Sequence, residues 1–100
     1  MAGTILVVED QDSARESLVD LLQGEGFEVH AGADGKAGIG LVDQYDIDLV
    51  LTDLAMPIAD GMAVLRHIRD VSPQTLVILM TAHASVGTAI EAIRLGAQDY

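Results

Sequence analysis

The chain contains no cysteine. Disulfides and thiol chemistry are therefore excluded, and their absence fits a reducing compartment. Cationic side chains are scarce as well. Five Lys and Arg stand against sixteen Asp and Glu, for a formal net charge of −11. Phosphate contacts require Lys and Arg, so this balance argues against nucleic-acid binding. It argues equally against an anionic membrane surface. It suits divalent cations and a basic or mixed-charge protein partner. No apolar run approaches the roughly 20 residues of a membrane-spanning helix. Met1-Ala2-Gly3 has no basic stretch of the kind that opens a secretory signal. A cytoplasmic protein is expected. Phosphate-loop motifs are missing too. Gly35-Lys36 is followed by Ala37, and the position five before Gly35 is His30. The glycines nowhere give G-x-G-x-x-G after a strand, and no two histidines show metal-ligand spacing.

What is present is a chain that can fold. Half of its 100 residues are apolar, which opposes disorder and allows one domain over 1–100. Thr4 to Val8 is a continuous β-branched and apolar run, as in a parallel strand buried on both faces. Ser13-Ala14-Arg15-Glu16 fits a capping box, and Ala14, Leu18, Leu21 and Leu22 mark one face of a helix stopping near Gly24 and Gly26. Phe27 to Ala31 alternates apolar and polar residues, as an edge strand does, with His30 facing solvent. Asp34-Gly35 opens a glycine-weakened helix through Gln44. Asp48 to Thr52 is the next buried strand. Asp60 caps a helix carrying Val64, Leu65 and Ile68, closed by Ser72-Pro73, with His67 on a solvated face. Leu76 to Met80 is a further strand, and Ser85 to Ile93 a last helix stopping at Gly96. Four β-α units with right-handed crossovers predict a parallel sheet with helices on both faces.

In such sheets ligands bind beyond the carboxyl ends of the strands. Glu9 and Asp10 follow the first strand there, Asp53 the third and Thr81 the fourth. At an effective dielectric near 20, two carboxylates about 4 Å apart repel by roughly 4 kcal/mol. A cluster of acids is thus expected to hold a cation.

These motifs resemble the receiver domain of bacterial two-component response regulators, a flavodoxin-like fold. The resemblance is carried by Glu9-Asp10, by Asp53 with Met56-Pro57 and Asp60-Gly61 in the pattern D-x-x-M-P-x-x-D-G, by Thr81-Ala82, and by Gly96-Ala97-Gln98-Asp99-Tyr100. Met80-Thr81-Ala82-His83 is further similar to the receivers of enhancer-binding nitrogen-regulatory activators. The resemblance implies an open parallel sheet of order 2-1-3-4(-5). It implies that Asp53 accepts a phosphoryl group from a sensor histidine kinase. Mg2+ (or Mn2+) would be held by Glu9, Asp10, Asp53 and the backbone carbonyl of Ala55. Thr81 would be the switch hydroxyl and Tyr100 the switch aromatic, with Ala55 and His83 tuning hydrolysis of the phosphoaspartate. Any enzymatic activity would be limited to the chain's own phosphorylation and dephosphorylation.

The family also carries a Lys-Pro pair three residues beyond the aromatic of the last motif. The sequence stops at Tyr100, its only lysine is Lys36, and Arg15, Arg66, Arg69 and Arg94 do not occupy that position. The expectation is a receiver lacking this lysine, most of the fifth strand and the fifth helix. The fourth strand would then be an apolar edge, a pairing site for a second copy. The competing expectation is accordingly a self-associating scaffold without phosphotransfer, joined through the fourth strand and fourth helix region.

Overall fold

Residues 3–53 and 61–80 are described by the computed structural model. They form β1 (Thr4–Val8), α1 (Asp12–Gly24), β2 (Glu28–Gly32), α2 (Gly35–Gln44), β3 (Leu49–Asp53), α3 (Gly61–Val71) and β4 (Leu76–Met80). The four strands are all parallel and lie in the order β2-β1-β3-β4. The flavodoxin-like arrangement expected from the β-α alternation is therefore present, with β2 at one margin. The Asp60 cap and the helix expected from Ser85 lie outside the described residues, as does the stretch where the fifth strand was expected to be cut short.

Strand alternation divides the apolar side chains between two faces. Leu6, Val8 and Val50 join Val77 and Leu79 in a core completed by Val42 of α2 and by Met62, Val64, Leu65 and Ile68 of α3. α2 and α3 pack on each other on this face. Ile5 and Val7, also buried, alternate to the opposite face, where α1 lies against β1 and β2. The apolar stripe expected on α3 is fully buried at Val64, Leu65 and Ile68. The stripe expected on α1 is less deeply seated, for no residue of that helix is fully buried and Leu21 is 63% exposed.

The amino ends of the strands are tied by polar groups. The Thr4 amide donates to Asp48 Oδ2 at 2.8 Å, and the Leu76 amide donates to the Asp48 carbonyl at 3.0 Å. Thr75, itself buried, donates its hydroxyl to the Ile47 carbonyl at 2.8 Å. The Arg69 guanidinium reaches the carbonyls of Pro73 and Thr75. These bonds fix the loops feeding β3 and β4 at the edge remote from the acids.

Several local expectations change. α1 begins at Asp12, with Gln11 as an extended N-cap making no side-chain bond, so Ser13 lies within the first turn and no capping box forms. Asp34 does cap α2, accepting from the Ala37 amide at 2.8 Å. His30 is not solvent-facing: its ring stacks on Tyr45 at 3.9 Å and meets Glu28 Oε2 at 3.1 Å. His67 does not lie on a free solvated face either, because its Nε2 is 2.6 Å from Asp43 Oδ1, joining α3 to α2. Glu28 shares β2 with His30 at a spacing of two, whereas Tyr45 and Asp43 reach the two histidines from elsewhere in the chain, which single-element periodicity does not reveal.

Candidate functional site

β1 and β3 run side by side with Val8 opposite Thr52. One residue further along, each chain carries an acid, Glu9 and Asp53. Parallel register thus places two carboxylates at the carboxyl edge of adjacent central strands. The apolar runs before them supply the force that holds them there, since Leu6, Val7, Val8 and Val50 are completely buried. Asp10 enters from the turn into α1. Glu9, Asp10 and Asp53 each offer a carboxylate oxygen, and these oxygens lie within 4.8 Å of one another. Glu9 and Asp53 are half-buried and Asp10 is exposed.

The electrostatic strain of this arrangement falls on Glu9. Partial burial, together with its bond to Asp10 and the nearby Asp53 carboxylate, pushes the Glu9 carboxyl above its ordinary value. The Gln11 amide, donating to Glu9 Oε2 at 3.4 Å, opposes the shift. The donor set fits a small hard cation, which prefers carboxylate oxygen. With ligands about 2.1 Å from such an ion, two oxygens stand at most roughly 4.2 Å apart, so the three carboxylates need little closing to share one.

Arg15 was not singled out as a site residue by the motif pattern, yet it borders the cluster. Its Nη1 donates to the Glu9 carbonyl at 2.9 Å and its Nη2 to Asp12 Oδ1 at 2.5 Å. The three-residue spacing of Asp12 and Arg15 on a helix was the signal for the second contact. No local spacing announces the first. Ala55, Thr81, His83 and Tyr100 lie outside the described residues, as do the Met56-Pro57 and Gly96 to Tyr100 motifs.

The family model for the response regulator receiver domain matches residues 5–100. The chain belongs to this family. Among curated proteins this receiver is 43% identical over 96 residues to the regulatory protein AtoC of Escherichia coli, covering 96% of the chain and 21% of the relative. It is 40% identical over 100 residues to the response regulator protein FleR of Pseudomonas aeruginosa, covering all of the chain and 21% of that protein. The receiver spans about a fifth of the length of these relatives. Among solved structures, a response regulator receiver domain protein from Clostridium thermocellum superposes with a TM-score of 0.91 at 33% identity, over all of this chain and 80% of the other.

Proposed function

We propose that this receiver accepts a phosphoryl group on Asp53 from the phosphohistidine of a sensor histidine kinase, with Mg2+ (or Mn2+) bound at the acid cluster. The observation that carries this reading is the convergence of the Glu9, Asp10 and Asp53 carboxylates beyond the carboxyl ends of β1 and β3. Glu9, Asp10, Asp53 and the Ala55 carbonyl are the residues that would hold the metal. When bound, the ion would neutralise carboxylate repulsion and the charge of the transferring phosphoryl oxygens.

Asp53 presents the nucleophile. One of its oxygens forms the new P–O bond as the P–N bond of the phosphohistidine breaks, and that electron pair returns to the kinase imidazole. The half-buried setting of Asp53 limits water around the reacting oxygen. Asp10, the exposed member of the cluster, would be the first of the three carboxylates to meet a cation from solvent. Thr81 then donates its hydroxyl to the new phosphoryl oxygen, and Tyr100 follows it inward, so a change of charge biases a face used for protein contact. The cytoplasm is the setting that goes with this reading.

The test is exposure of the protein to acetyl phosphate and Mg2+, followed by intact mass measurement. Wild type is expected to gain one phosphoryl group and Asp53→Asn none. Equal modification of both proteins, or of neither, overturns the proposal.

A second reading, association of copies along β4, draws on one observation. β4 borders the described sheet, and Leu76 at its start is 48% exposed. Light scattering over a concentration series checks it, and a mass that stays monomeric throughout removes it.

A further inference from the structure

Three of the four residues from Glu9 to Asp12 are acids, yet only Glu9 and Asp10 join Asp53 in the cluster. Something must sort them. Asp12 belongs to the first turn of α1 and is bonded by the Arg15 guanidinium at 2.5 Å. The same guanidinium donates its other arm to the Glu9 carbonyl at 2.9 Å. The Arg15 side chain is only 18% exposed, whereas that of Asp12 is 82% exposed. The planar fork of an arginine can hold two acceptors in a fixed relation, which a lysine ammonium cannot do as rigidly.

The turn depends on these contacts. The Glu9 amide donates to the Gly32 carbonyl at 3.1 Å, so β2 holds one side of the Glu9 backbone. Arg15 holds the other side through the carbonyl. The Arg15 amide also donates to the Gln11 carbonyl at 2.9 Å, closing the first helical turn. Gln11 contributes no side-chain cap. One residue of α1 therefore ties the carbonyls on both sides of Asp10.

We infer that Arg15 is a positioning residue for the metal site: it fixes the β1–α1 turn so that Glu9 and Asp10 face Asp53, and it draws Asp12 away from them. This rests on the metal-binding reading above. The inference has an unusual sign. A guanidinium near an acid pocket opposes cation uptake by its charge alone. If charge were its whole influence, neutralising Arg15 would tighten metal binding. If it positions the turn, neutralising it weakens binding.

The experiment is calorimetric titration of wild type, Arg15→Met and Arg15→Lys with MgCl2 and with MnCl2, no phosphodonor being present. Thermal unfolding in EDTA is measured alongside. Arg15→Met is expected to lose about tenfold in affinity for both ions, in the range found when groups supporting metal ligands are removed. Arg15→Lys, which keeps the charge but serves one acceptor at a time, falls between it and wild type. Affinity in Arg15→Met equal to or tighter than wild type overturns the inference. So does a lower stoichiometry at unchanged affinity, which would mean only that less of the variant is folded. Failure of wild type itself to take up either ion has a different meaning, because it overturns the metal reading together with everything built on it.

Discussion

Glu9 is the side chain on which burial and charge act most directly. It sits one residue past the last paired position of β1, close enough to the core to lose water and close enough to Asp10 and Asp53 to feel their charge. Its carboxyl is raised from an ordinary value of 4.5. The folded state therefore holds this proton more tightly than the unfolded chain does. The stabilising contribution is complete below 4.5 and is lost as the pH rises through the raised value. In EDTA, the melting temperature of wild type minus that of Glu9→Gln is expected to fall as pH increases across that window. A difference that stays flat, or rises, would contradict this origin of the strain. With Mg2+ present the fall is expected to shrink, since a bound cation favours the ionised carboxylate.

At the scale of elements, α2 separates two kinds of glycine that composition treats alike. A Cβ on Gly38 would meet Val8 Cγ2 at 2.7 Å, and Val8 is a β-branched residue sealed in the core. A Cβ on Gly40 would meet nothing within 4 Å. Gly38→Ala is therefore expected to destabilise the fold by about 1–3 kcal/mol through overpacking. Gly40→Ala is expected to stabilise it by up to about 1 kcal/mol through helix propensity. Urea denaturation of the two variants checks both signs. The same helix shows why legibility varied. Asp34 could be read as its cap because a cap is a local event spanning three residues. The role of Gly38 could not, because the reason for it lies on β1. Likewise the buried face of α3 was written in its spacing, while the start of α1 was displaced by contacts with Glu9 and Arg15 that no helical pattern encodes. His67 and Asp43, 24 residues apart, meet only because α2 and α3 share one side of the sheet. The carboxylate cluster was legible for the opposite reason. Two apolar runs that each end in acid converge once the strands are adjacent and parallel, an order that the receiver resemblance implied and the sheet shows.

Across the whole molecule the dominant electrostatic fact is a net charge of −11 on a chain of 100 residues. Packing a surplus of one sign into a small volume opposes the compact state. Raising NaCl to about 1 M, where the screening length falls to about 3 Å, is expected to raise the melting temperature in EDTA. Chloride and sodium act here as a general atmosphere, so Asp53→Asn should show the same trend. A melting temperature that falls with salt would place specific ion pairs above the general repulsion. Among the described residues such pairs include Arg15 with Asp12, beside histidine contacts with Glu28 and Asp43. No helix of the described residues is long and apolar enough to cross a membrane.

α1 rests on its sheet without one buried side chain, while α3 is anchored by four, Met62, Val64, Leu65 and Ile68. Its amides should accordingly be the quickest of the three described helices to trade hydrogen for deuterium. Because the same helix begins at the turn beside the carboxylates, a divalent ion settling there would slow that trade along its opening turns. Cation uptake would thus leave a trace in the backbone of α1, visible before any phosphodonor is supplied.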